Sequence, residues 1–355
     1  KKEIVGLFTM YQDTTSGKLF MLIKKEQLNK EYIHFISGIN GHNNAGVNQG
    51  WPYYSRVIKL KKYFSRVEFE IQNNAFYFDP KNPLSRSSDS NVSTAILASS
   101  NIISDKDDKI LIGVDNIFLT EALHQITRGF IPGNPNKNPF KLGRLSKEKT
   151  KYFSIKNYPE NTDILVQYVY SNPLPTNRGS DRGITDPRSV NVSLQHSFIA
   201  VPQNDFKPRF EDPRIGYFTN KVTDMTEARD ATPYRDMIQR WNLEKKNPGQ
   251  ARSEVKEPIV WWIENTTPHE FRDAIKEGVL AWNKAFETAG LINAIDVKVQ
   301  PDDADWDAGD IRYNVLQWSS SPSPWFGGLG PRFTNPRTGQ ILGADIMLEF
   351  VYFTN

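Results

Sequence analysis

Five histidines, His34, His42, His124, His196 and His269, are the first residues to test for chemistry, because a chain with no cysteine can hold a metal only through His, Asp or Glu. No two of them are spaced as a ligand pair. A hydrolytic zinc helix needs His-Glu-x-x-His, since side chains four apart share one helix face and the Glu between them can activate the bound water. The stretch His269-Glu270-Phe271-Arg272-Asp273 has the first pair, with Asp where the second His should stand. It also falls in Thr267-Pro268-His269-Glu270, which matches a capping box with proline at the first helical position. Glu270 is therefore expected to cap a helix. His196 lies on the apolar face of the run Val190, Val192, Leu194, His196, Phe198 and is expected to be a hydrogen-bonded core histidine.

Carboxylates come next. Asp303, Asp305 and Asp307 alternate like the start of a calcium loop, but the sixth and twelfth positions counted from Asp303 are Ala308 and Asn314, where an EF-hand needs Gly and Glu. A solvated loop that places Trp306 is the main reading, with a calcium site of another type as the minor one. There is no Gly-x-Ser-x-Gly elbow and no glycine-rich phosphate loop between a strand and a helix. A glycosidase would need two carboxylates facing one cleft, which spacing cannot reveal. The basic runs Lys59 to Lys62 and Lys147 to Lys151 read as solvated faces, and 44 basic against 41 acidic residues leave no electrostatic footprint for nucleic acid.

The elements that must position these groups differ along the chain. A length of 355 residues suits about two domains. Residues 1–206 read as a β-rich antiparallel module. Ile4 to Met10 and Lys18 to Ile23 flank the turn cluster Asp13 to Gly17, as in a hairpin. Val67, Phe69 and Ile71 alternate with charged residues as in a strand with one wet face, and Ile110 to Val114, Ile164 to Tyr170 and Val190 to Val201 are further strands. A short helix is expected over Glu121 to Arg128, with Thr120 as N-cap and Gly129 as its stop. The proline-rich segments Ile131 to Pro139 and Asn172 to Gly183 read as long loops. Trp51, Tyr53 and Tyr54 are candidates for exposed aromatic rings.

Residues 207–256 read as a connecting arm with a helix over Tyr234 to Leu243. Residues 257–355 read as an α/β unit. Its strands are Ile259 to Ile263, Asp296 to Gln300, Ile311 to Trp318 and Ala344 to Phe350. Its helix carries the apolar stripe Phe271, Ile275, Val279, Trp282, Phe286 and stops at Gly290. No apolar run is long enough for a transmembrane helix, and no signal-peptide pattern opens the chain at Lys1-Lys2-Glu3. The first residue is not Met, so a mature or trimmed form is expected.

Several stretches together resemble the bacterial, exported zinc-dependent metalloproteases of metzincin type whose catalytic domain follows amino-terminal domains of unknown function. They are Gly6-Leu-Phe-Thr-Met-Tyr-Gln-Asp13 followed by Ser16-Gly-Lys-Leu-Phe20, Glu211-Asp-Pro-Arg-Ile-Gly-Tyr-Phe218, Arg240-Trp-Asn-Leu-Glu-Lys245 and Pro258-Ile-Val-Trp-Trp-Ile-Glu264. Gly278 to Gly290, Asp310-Ile-Arg-Tyr-Asn-Val315 and Gly330 to Ile341 complete them. The resemblance implies an α+β fold: the β-rich module, then the upper α/β half of a metzincin-like catalytic domain. It implies an antiparallel edge strand at Leu329, Gly330, Pro331, Arg332 and Phe333, against which a peptide or protein substrate lies as an added strand. It also implies zinc in the full-length protein and a periplasmic, outer-surface or extracellular location. The His-Glu-x-x-His-x-x-Gly-x-x-His stretch that would hold the zinc is absent from these residues. The chain alone is thus expected to be the amino-terminal portion of such an enzyme and to hydrolyse nothing. The alternative is a non-catalytic β-rich module that binds protein or carbohydrate.

Overall fold

A computed structural model describes residues 1–42, 45–47, 51–126, 140–179, 183–227, 234–320 and 327–350. The chain divides into two compact units, Lys1–Pro202 and Gln203–Asn355, and the arm expected over 207–256 belongs to the second. No helix among the described residues is long and apolar enough to cross a membrane, a statement that does not extend to strands.

The first unit is one large antiparallel sheet. Its strands are β1 (Lys2–Ile4), β2 (Thr9–Gln12), β3 (Leu19–Lys24), β4 (Glu31–Asn40), β5 (Pro52–Tyr63), β6 (Arg66–Gln72), β7 (Ala95–Lys106) and β8 (Lys109–Gly113). After helix α1 (Asp115–Phe118) come β9 (Arg144–Leu145), β10 (Lys151–Asn157), β11 (Asn161–Ser171) and β12 (Ser189–Ala200). They lie in the order β1-β2-β3-β8-β7-β6-β5-β4-β12-β11-β9, with β10 also pairing β11. The β2–β3 hairpin turns where the Asp13 carboxylate accepts from the backbone N–H groups of Thr15 and Ser16 and Gly17 takes φ 74°. Upstream of it the expected strand Ile4 to Met10 is split in two, because the intervening backbone turns to meet the far end of the sheet.

That meeting curls the sheet on itself. Leu7 N–H donates to Tyr158 O at 2.8 Å, Phe8 N–H to Thr162 Oγ1 at 3.0 Å, and Asn157 Nδ2 to the carbonyls of Ile4 and Phe8 at 2.8 and 2.6 Å. Gly6 passes so close to the Asn157 side chain that a Cβ there would overlap it. The interior is filled by Phe8, Met10, Ile36, Ile58, Phe69, Ile112, Phe118, Val166, Tyr168, Leu194 and Phe198. The wet face expected on β6 is not wet: Glu68 and Glu70 are buried, held by Arg66 at 2.5 Å and by Lys61 at 2.7 Å.

The helix expected over 121–128 does not form in its described part. The short α1 precedes it, and residues 119–126 are irregular. Side chains take the bonds a helix would need: Thr120 Oγ1 donates back to Asn116 O, and the Glu121 carboxylate accepts from Ile126 N–H and from Tyr170 Oη. Residues 127–139, including the expected loop Ile131 to Pro139, lie outside the described residues. The Asn172 to Gly183 segment joins β11 to β12, with 180–182 likewise outside.

The second unit is built on an open sheet. Strands β13 (Thr219–Asn220) and β14 (Met237–Ile238) pair in the arm, and β15 (Ser253–Glu254) pairs with β17 (Leu291–Ile292). The main sheet contains β16 (Ile259–Ile263), β18 (Ile295–Val299), β19 (Asn314–Ser319), β20 (Gly328–Leu329), β21 (Arg332–Thr334) and β22 (Ile341–Glu349), in the order β18-β16-β19-β22-β20, with β21 also on β22. The first four in that order run parallel; β20 and β21 are antiparallel to β22. Helices α2 (His269–Leu280) and α3 (Asn283–Thr288) connect β16 to β18 and set Ile275, Val279, Leu280 and Phe286 against Ile259, Trp261, Ile263, Ile295 and Val297.

Three expectations in this unit need correction. The arm has no helix over 234–243, because its N–H groups are claimed by distant carbonyls: Arg235 by Val222, Ile238 by Arg209, Gln239 by Phe218 and Arg240 by Gly339. The capping box does not close. Helix α2 starts at His269, so Pro268 is the N-cap and no side chain caps the turn. The stripe breaks at Trp282, which is 65% exposed where α2 gives way to α3, and Leu280 takes its place in the packing.

Candidate functional site

Leu329 to Phe333 lie at the antiparallel end of the open sheet. Asp345 N–H donates to Pro331 O at 3.1 Å and Glu349 N–H to Gly327 O at 3.0 Å. With Arg332 opposite Ala344 and Gly328 opposite Leu348, those bonds make Arg332 and Gly328 non-hydrogen-bonded positions of the ladder. Their own N–H and C=O groups therefore point away from β22. Leu329 and Phe333, at the alternate positions, turn their backbone groups inward. Pro331 contributes its carbonyl to β22 and has no N–H to leave exposed. The edge thus offers outward donors and acceptors on either side of a Gly330-Pro331 break.

Several side chains fix this edge. Asn314, in the central β19, donates from Nδ2 to Val260 O at 2.9 Å and accepts at Oδ1 from Ala344 N–H at 3.0 Å, tying its two neighbours together. The turn that leads into β19 is held by fully buried Asp310, whose carboxylate takes the Arg312 guanidinium at 2.6 and 3.0 Å. The arm supports the edge from the other side. Arg332 Nε donates to Gln239 Oε1 at 2.6 Å, and its guanidinium lies 4.3 Å from the centre of the Phe218 ring. Burial holds the Arg332 pKa below the ordinary arginine value. Ile341 N–H donates to Arg240 O, and Asn220 Nδ2 to Asn335 O, so the arm also braces the 335–340 turn that joins β21 to β22. Gly339 in that turn has φ 77° and faces Ile238 O at a distance no Cβ would tolerate. Sequence reasoning missed this buttress because it read the arm as a helical connector.

The other candidate groups are not gathered around this edge. His269 is exposed at the start of α2, and Asp273 lines a shallow surface depression with Lys276, Glu277, Leu280 and Lys284. In the acidic loop, Asp307 accepts from Gly309 N–H and Asp310 is committed to Arg312. Among the described residues no group of three His, Cys, Asp or Glu side chains could hold a metal ion. Of the aromatics singled out, Trp51 is 41% exposed, but Tyr53 and Tyr54 pack against the interior of the first unit, so the three do not form an exposed row.

His196 is a hydrogen-bonded core histidine, and the structure adds two partners that spacing did not reveal. His34 and His124 join it inside the first unit, all three at most 3% exposed. His34 Nε2 lies 3.2 Å from His196 Nδ1, and His196 Nε2 lies 2.8 Å from Tyr168 Oη. The His124 ring packs 4.4 Å from the Tyr168 ring and 5.5 Å from that of His196. Burial pushes the pKa of His34 and of His124 down to about 3 and that of His196 well below its ordinary value; the Arg56 charge adds to each.

Residues 52–246, more than half of the chain, match the family model described as a domain of unknown function, DUF5117, and the chain belongs to that family. The match covers most of the curled sheet and ends in the arm, short of the open sheet. Comparison with curated proteins gives no match, and comparison with solved structures gives none either.

Proposed function

We propose that this chain is the amino-terminal portion of an exported zinc-dependent metallopeptidase of metzincin type, in which the second unit aligns an extended peptide substrate. The observation that carries the reading is the order of the open sheet. Four parallel strands backed by a helix end in antiparallel strands whose outward groups at Gly328 and Arg332 are free of the β22 ladder. An extended peptide can add to such an edge, taking affinity from main-chain hydrogen bonds. The sequence stretches that resemble those enzymes support the same reading. Among the described residues no metal-holding group is found, and the role proposed for this chain rests on the strand edge alone: substrate alignment.

Binding of labelled, unstructured peptides, read by fluorescence anisotropy, tests the role. Arg332→Pro removes the outward N–H and is expected to weaken binding roughly tenfold or more, while Arg332→Ala, which keeps that donor, weakens it much less. Equal effects of the two substitutions, or no peptide binding by the unaltered chain, would contradict it.

A further inference from the structure

We infer that His34, His196 and His124 form a pH-sensitive latch that holds the segment 115–126 inside the curled sheet and lets it go in mild acid. The hydrogen-bond directions are fixed by one proton. Tyr168 Oη donates to Phe118 O at 2.7 Å, so towards His196 it can only accept. His196 therefore carries its proton on Nε2 and presents a bare Nδ1. His34 must in turn donate from Nε2 to that Nδ1, which leaves His34 Nδ1 bare and buried. The relay runs from β4 through β12 and β11 and ends on the carbonyl of Phe118, at the close of α1.

His124 stands on the retained segment itself, and neither of its ring nitrogens has a hydrogen-bond partner among the described residues. Arg56, opposite His34 on β5, stacks 3.7 Å from the Tyr54 ring and donates to Leu123 O at 3.3 Å. The segment is thus tied at the carbonyls of Phe118, Leu123 and Gln125, the last taking Tyr54 Oη at 3.4 Å, and packed by Ile117, Phe118 and Leu123, all fully buried. Among the described residues, the charged and titratable groups around the cluster include Arg56 and Tyr54 from β5, Tyr168 and Tyr170 from β11, and Glu121 and Asp115 from the segment. The carboxylates are already engaged, Glu121 by Tyr170 Oη and Ile126 N–H, Asp115 by Tyr152 Oη and Leu19 N–H. An imidazolium formed here would meet a cation and apolar rings, and at His196 it would face the His34 N–H. Water is the better solvent for it, and release of the segment that carries His124 would bring water to the rings.

All three rings are neutral when folded, with pKa values below the ordinary 6.5. The open state binds the protons, so the latch is fully closed above about pH 6.5 and weakens as pH falls. Hydrogen exchange across 115–126, corrected for intrinsic rates, tests this between about pH 6.5 and 5, where ordinary carboxylates are still ionised. Protection of the segment is expected to fall with a slope approaching three protons, up to about tenfold per pH unit for each ring. His124→Phe, which keeps an aromatic ring and cannot titrate, should lower the slope by about one, while His269→Phe on the exposed helix start leaves it unchanged. A segment whose protection does not change with pH, or a His124→Phe profile that matches the unaltered chain, overturns the latch. Nitrogen NMR of the unaltered chain provides the second check. Nε2-protonated tautomers at His34 and His196 near pH 7 support the relay, and an Nδ1-protonated or charged His196 overturns it.

Discussion

In the first unit the sheet is bent until its ends meet, and in the second it stays open, with edge strands that pair on one side among the described residues. Both are made from similar β-forming stretches, so the difference lies in what each does with its unpaired backbone. At the seam of the curled sheet, Asn157, Tyr158 and Thr162 satisfy the groups of Ile4, Leu7 and Phe8. A sheet finished in this way offers little to a peptide, and its polar chemistry is turned inward to the histidine cluster. The open sheet keeps the backbone groups of Gly328 and Arg332 turned away from β22 and invests side-chain bonds, from Asn314, Asp310 and the arm, in bracing that edge.

The contrast can be broken first in the curled sheet. Phe198 packs against Phe8, His34, Phe69 and Phe118, and Phe198→Ala is expected to cost about 3–5 kcal/mol in denaturant unfolding while leaving peptide binding at the open edge intact. Gly6→Ala strikes the seam. A Cβ there displaces the Asn157 side chain and leaves the part-buried carbonyls of Ile4 and Phe8 short of a donor, for about 1–3 kcal/mol by the same measurement. The Arg332→Pro substitution should act the other way, weakening peptide binding by about 1.4 kcal/mol or more with a smaller effect on unfolding. Trp282→Ala, at an exposed helix junction, should change neither by more than about 0.5 kcal/mol.

What could be read from sequence was what depends on near neighbours. The Asp13 to Gly17 turn, the apolar run Ile259 to Ile263 and the α2 positions Ile275 and Val279 stand as their local patterns suggest. Failures fall where distant partners override local preference. Residues 121–126 have the composition of a helix start, yet Tyr170, 49 positions away, fixes Glu121 in another role. The arm from Tyr234 to Leu243 loses its helix to carbonyls as far off as Gly339. The histidine cluster was out of reach for the same reason, since His34 and His196 are separated by 162 positions and meet only through strand order. The outward direction of Gly328 and Arg332 required the ladder register, which no local pattern supplies.

The substrate-aligning role proposed for the open edge is tested most directly by amide hydrogen exchange at single residues of β20 and β21, without and with short unstructured peptides. In the free chain, Gly328 and Arg332 should exchange fast and Leu329 and Phe333 slowly; added peptide should slow Gly328 and Arg332. Peptide that leaves these two amides unprotected, or protects a different surface, would contradict strand addition at this edge.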